Sequence, residues 1–123
     1  MKIILQQVPG FRERWQAHRE YWEGEDAGLC NDMSEFSEYV VDLIADEQSA
    51  DLPMIFELIE RLMVKGDQDV QNAAATCFLE NLINIAGTDR LDAKKYIHLL
   101  GPESRAYCKA WDKFTGVYTE GLW

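Results

Sequence analysis

The sequence predicts an all-α protein. Apolar residues recur at steps of three and four through every long segment, the alternation of half-buried strands does not persist beyond a few residues, and Gly or Pro punctuates the chain between apolar stripes. A chain of 123 residues, 47% hydrophobic and 11% aromatic, can enclose one core and is far from the composition of a disordered acidic tail. One domain over residues 1–123 with about six helices is therefore expected.

The first helix runs near 11–23, after a short apolar turn and the Pro9–Gly10 break. It places Phe11, Trp15, His18 and Trp22 on one face, with Gly24 as its stop. The second is expected to start at Asp32, which precedes Glu35 by three residues as in a capping box. Phe36, Val40, Leu43 and Ile44 then point inward, while Glu35, Glu38, Asp42 and Asp46 form an outward stripe. The third, near 52–65, has Pro53 in its first turn, a seam of Leu52, Ile55, Ile59 and Leu62, and Gly66 beyond its end.

A fourth helix from about Asp69 to Ala86 carries Val70, Ala73, Ala74, Cys77, Leu82 and Ile85, and the run Ala73, Ala74, Ala75 allows a neighbour to approach closely. Helices three and four have the look of one HEAT-like pair. No second copy follows, so the expected architecture is a short irregular stack of helical hairpins. A fifth helix should end at Gly101, and a sixth should start at Pro102 with Tyr107, Trp111 and Phe114 as its apolar face. The tail from Thr115 to Trp123 shows no periodicity.

Charge is distributed unevenly. The net charge is -10, yet residues 20–60 hold thirteen Asp or Glu and no Lys or Arg, while residues 61–123 hold eight of each sign. Such a field disfavours nucleic acid and anionic membrane surfaces and calls for a basic partner. No window approaches the length of apolar chain that spans a membrane. Cys30, Cys77 and Cys108 are odd in number without paired spacing, and the apolar start is too short for a signal peptide, so a reducing cytoplasm is the expected location.

Little in the sequence points to catalysis. The two histidines, His18 and His98, lie far apart and form no metal-ligand motif, and His18 reads as a structural histidine on the tryptophan face. Cys77 and Cys108 read as small buried hydrophobes, and Cys30 as a loop cysteine whose acidic neighbours raise its thiol pKa. No phosphate-cradling loop, nucleophile elbow or CxxC pair occurs. The loop starting at Glu23 fails the EF-hand register, with Ala27 at the fifth place and Ser34 at the twelfth. The expectation is a protein that is not an enzyme, with no catalytic residue, no metal and no cofactor.

The acid field itself is the candidate site. Glu23, Glu25 and Asp26 in the loop, and Glu35, Glu38, Asp42 and Asp46 on the second helix, are the candidate partner-binding residues. Tyr39 beside them reads either as an aromatic anchor or as an edge of the core.

The order "VPGFRERW", "FSEYVVDLIAD", "FELIERLMVKGDQDVQNAAATCFLENLIN" and "IHLLGPESRAYCKAW" resembles small all-helical bacterial proteins that include immunity proteins of polymorphic-toxin and contact-dependent growth-inhibition systems. The resemblance spans most of the chain and brings no catalytic residue with it. It implies binding to one cognate toxin domain, often a nuclease, inside the producing cell. The alternative is a helical adaptor offering an apolar groove, between helices three and four, to a peptide or sister subunit.

Overall fold

A computed structural model of the chain describes residues 1–48 and 50–123. The described residues form seven α-helices: α1 Lys2–Gln7, α2 Arg12–Tyr21, α3 Leu29–Ala45, α4 Leu52–Lys65, α5 Gln68–Asn72, α6 Glu80–Ala86 and α7 Pro102–Thr115. Between α5 and α6 the backbone continues without a break through a π-helical segment, Ala73–Leu79, so residues 68–86 make one rod. Three 3-10 turns, Pro9–Phe11, Ala93–Lys95 and Ile97–Leu99, complete the helical elements.

A chain of aromatic rings crosses the core. Phe11 meets Phe36 at 5.0 Å, Phe36 stacks on Phe78 at 5.6 Å, Phe56 meets Phe78 edge-on at 6.1 Å, and Phe56 lies parallel to Tyr96 at 5.7 Å. These rings tie α3, α4 and the rod together. Ala73 and Ala74, which lack bulk beyond Cβ, are buried in the rod, and next to them Cys30 and Cys77 bring α3 and the π segment to a Cα separation of 5.3 Å.

The α4 helix spans the residues its sequence signals, with Pro53 in the first turn and Gly66 as its end. Other elements differ from the sequence reading. The short apolar turn at the start is the helix α1, with Ile4 and Val8 buried. It lies against Leu29, Met33, Leu62, Val70 and Ala73, leaving a void of about 60 Å³. The groove that helices three and four were expected to offer a partner is thus lined by the chain's own N-terminus.

The capping box does not form, because α3 begins at Leu29 after Gly28, whose φ of 89° turns the chain into the helix. Asp32 instead sits inside the helix. The fifth helix is replaced by two 3-10 turns, with Leu91, Tyr96, Ile97 and Leu100 buried in and around them.

The sixth predicted helix is α7, but its inner face is Ser104, Cys108 and Asp112, at steps of four, and Phe114 is 82% exposed. The face rotates because the aperiodic tail folds back on polar anchors. Asp112 accepts hydrogen bonds from Thr119 N at 2.8 Å, Thr119 Oγ1 at 2.9 Å and Trp123 Nε1 at 3.2 Å. Arg105 donates to Leu122 O and Ile97 O, which seats Leu122 in the core.

The reading of three free cysteines is also corrected. Cys30 and Cys77 form a disulfide across 47 residues, a pairing that only the packing of α3 on the rod creates, and Cys108 alone is a free, buried thiol. Closing a loop of that length limits the unfolded chain and contributes about 4 kcal/mol in the chain-entropy account. The pairing removes the cysteine argument for a reducing compartment. Among the described residues, no helix is long and apolar enough to cross a membrane.

Candidate partner-binding site

The acid-rich surface is organised along α3, about 25 Å long at 1.5 Å per residue. Its middle is neutralised from within. Arg14 on α2 donates to Glu35 at 3.1 Å and to Asp42 at 2.6 Å, and Arg90, beyond α6, donates to Glu38 at 2.8 Å. The stripe at steps of three and four exists as the sequence implies, but two arginines from outside residues 20–60 lie on it. Burial disfavours the charge on Arg14, and the hydrogen bonds to Asp42 and Glu35 outweigh that effect and raise its pKa.

Tyr39, the remaining candidate, and His18 both have structural roles. Tyr39 is half-buried, its ring 5.4 Å from Phe11 and stacked on Phe36 at 6.3 Å, and burial, with the charge of Asp51 second, raises its hydroxyl pKa. A Cβ on Gly10 would meet the Tyr39 hydroxyl at 2.5 Å, so the glycine makes room for it. Tyr39 is an edge of the core. His18 is buried as read, and its Nε2 lies 2.9 Å from Asp32 Oδ1 while its ring packs between Trp15 and Trp22.

The two ends of α3 are different. Glu20, Glu23, Glu25 and Asp26 before it, and Asp46, Glu47 and Asp51 after it, are exposed and have no cation within ion-pair distance among the described residues. Of the candidates from sequence, Glu23, Glu25, Asp26 and Asp46 fall at these poles, and Glu35, Glu38 and Asp42 fall in the neutralised middle. Sequence reasoning missed Glu20, Glu47 and Asp51, although all three lie in the stretch without Lys or Arg.

Backbone geometry singles out one residue at each pole. The α2 helix ends with Glu23 N bonded to Glu20 O and Gly24 N to Arg19 O, and α3 ends with Glu47 N bonded to Ile44 O and Gln48 N to Leu43 O. Both are Schellman endings, in which the residue after the cap turns left-handed, a place usually taken by glycine. Here it is glutamate twice, at φ 54° for Glu23 and 58° for Glu47. Each carries a strain of about 1–2 kcal/mol that glycine would avoid.

Beside the first pole, a cleft of about 520 Å³ is lined by His18, Tyr21, Trp22, Asn31, Glu35 and Glu38 among others. Among the described residues no group of three or more His, Cys, Asp or Glu side chains is placed to hold a metal ion. The chemistry on offer is attraction of cations over a broad, mostly preformed surface.

A family described as a domain of unknown function, DUF7674, matches residues 1–116. The chain belongs to the DUF7674 family. No curated protein and no solved structure matches it. In this DUF7674 chain the family match covers both acidic poles, α3 and the rod, and ends at Gly116, ahead of the tail that Asp112 anchors.

Proposed function

We propose that this chain is an immunity protein that binds and neutralises a basic toxin domain, a nuclease in the best-fitting case, by covering its cationic substrate site with the acidic poles of α3. One observation carries the reading: at the two poles, glutamates stand where left-handed backbone favours glycine, and neither is paired with a cation among the described residues. Strain held at an exposed position points to a use for the side chain outside the fold. A nuclease presents a basic cleft to phosphate, which two clusters of unpaired carboxylates flanking a helix about 25 Å long can bracket. The resemblance to bacterial immunity proteins supports the same reading. Inhibition then requires occlusion only, in the cytoplasm of the producing cell, with no cofactor and no turnover.

The test is a search of the neighbouring genes for a toxin domain and co-expression of the chain with it. Wild-type protein should protect the cell, and the purified pair should separate as salt screens the charges. Survival with a Glu23→Lys, Glu25→Lys, Asp46→Lys variant equal to wild type would remove the poles from the interface.

A helical adaptor is the second reading, and the exposed apolar surface of Phe114, Val117 and Tyr118 favours it. Binding through that surface would barely respond to salt and would be lost in Phe114→Ser.

A further inference from the structure

The first turn of α3 is held in an unusual way. Gly28, its N-cap, supplies no side-chain hydrogen bond, and the residues leading to it include left-handed Glu23, Gly24 and Gly28. What ties the turn down is Asn31 Nδ2 donating to Ala27 O at 2.7 Å, the Asp32–His18 pair, and the Cys30–Cys77 bond to the π segment. Of these, only the disulfide is covalent, and it reaches the rod; beyond the first turn, Met33 is buried in the core and Ser34 Oγ donates to Cys77 O of the rod at 3.5 Å.

The two sulfur positions are unequal. Cys30 is exposed, whereas Cys77 is buried within the π segment. π-helical windings recur at functional positions in helices. A disulfide with one of its cysteines at the exposed surface has a side from which a thiolate can approach. Cys108 is buried, its thiol pushed up to about 12 first by burial and then by the charge of Asp112, so the protein's remaining cysteine does not compete in exchange.

We infer that the Cys30–Cys77 disulfide is a thiol-operated latch that fixes the first acidic pole, residues 23–28, to the rod, and that small thiols open it without unfolding the rest of the chain. The exchange begins when the thiolate of a small thiol attacks Cys30 Sγ. The Cys30–Cys77 bond breaks with its electron pair moving to Cys77 Sγ, which takes up a proton. A second small thiol then attacks the mixed disulfide at its own sulfur, forms the small-molecule disulfide, and releases Cys30 as a thiolate that is protonated in turn. Two small thiols are oxidised and the protein disulfide is reduced.

The rest of α3 keeps its own attachments. Phe36, Val40, Val41 and Ile44 remain in the core, and Asn81 donates to Ser37 Oγ from the rod side. Opening is therefore local, confined to the loop and first turn. The surrounding acids give the latch a selectivity, since Glu25, Asp26 and Asp32 repel an anionic thiol such as glutathione more than a neutral one such as dithiothreitol.

Hydrogen exchange read by mass spectrometry, on the full chain before and after dithiothreitol, tests the latch. Amides of residues 24–33 should exchange about tenfold faster or more after reduction, with α4 and α7 unchanged. Cys30→Ser should reproduce the reduced pattern without reductant. Glutathione should react more slowly than dithiothreitol at low salt, with the gap narrowing at high salt. Unchanged exchange at 24–33 would overturn the latch. So would faster exchange through all helices, or a Cys30→Ser chain that fails to fold, because either makes the bond a global staple.

Discussion

Glu60 and Gly101 fit each other: a Cβ on Gly101 would lie 2.5 Å from Cγ, Cδ and Oε1 of Glu60. The space lets the α4 carboxylate reach the start of α7, where it accepts from Glu103 N at 2.9 Å and Ser104 N at 2.8 Å. The α7 helix has no side-chain cap of its own, so a distant glutamate satisfies its first amides and meets the positive end of its dipole. Glu60→Ala should lower stability by about 1–2 kcal/mol, as loss of a cap does. Gly101→Ala should do the same by pushing Glu60 aside. In urea unfolding the double mutant should lose less than the sum, and strict additivity would show that the two do not act together.

The left-handed glutamates give a prediction of opposite sign. Relief of about 1–2 kcal/mol of strain, less about 0.5–1 kcal/mol for the extra freedom of an unfolded glycine, leaves a net gain of about 0.5–1 kcal/mol for Glu47→Gly. Glu23→Gly should behave alike. Melting temperature should rise in both while affinity for the proposed basic partner falls. A gain in stability with unchanged affinity would assign the glutamates no role in binding.

Charge reversal should separate the poles from the middle of α3. Glu35→Lys, Glu38→Lys and Asp42→Lys together set like charges against Arg14 and Arg90, so the melting temperature should fall even without a partner. An outward stripe without partners would tolerate the same changes. Glu23→Lys, Glu25→Lys and Asp46→Lys break no ion pair among the described residues and should leave melting nearly unchanged while abolishing protection. Equal melting temperatures for the two triple mutants would show that the arginine pairs contribute nothing to folding.

What the sequence revealed follows from how local each signal is. Pro53, Gly66 and the seam of Leu52, Ile55 and Ile59 act within a turn or two, and α4 appears where they place it. The partners of the acid stripe do not read locally, because Arg14 and Arg90 lie 21 and 52 residues from Glu35 and Glu38. Cys30 and Cys77 meet only after α3 packs on the rod. Asp112 reads as a solvated charge until the tail closes over it, and its burial turns Phe114 outward. Of the candidate site, composition revealed the acidic region, and only the fold distinguished its bare ends from its paired middle.

Asp112 offers a test of the tail. Three donors converge on its carboxylate, Thr119 N and Trp123 Nε1 on Oδ2 and Thr119 Oγ1 on Oδ1, and an alanine would leave all three without this acceptor. Asp112→Ala should therefore lose at least about 1–3 kcal/mol, the usual penalty for a buried donor left unmet. Trp123 fluorescence should shift to the red as the tail detaches, and limited proteolysis should trim residues 117–123 first. An unshifted Trp123 spectrum would mean that the tail is held by Arg105 and Leu122 alone.

Alkaline pH should destabilise the chain through Cys108. Burial, and after it the charge of Asp112, pushes the folded thiol up to about 12 against an ordinary 9.0, with Arg105 opposing. Below about pH 9 the thiol is protonated in both states, and its contribution to stability is complete. As pH rises from there towards 12, the unfolded chain releases the proton while the folded chain keeps it, so the unfolded state gains on the order of 1 kcal/mol per pH unit. Tyr96, whose pKa is also raised, chiefly by burial, adds a loss of the same sign at higher pH. Cys108→Ala removes the thiol's share but not the tyrosine's. Between pH 9 and 11, the variant's stability should fall less steeply than that of wild type, whatever offset the lost sulfur causes at pH 7. Parallel curves for the two proteins would show that the Cys108 thiol titrates alike in the folded and unfolded chains.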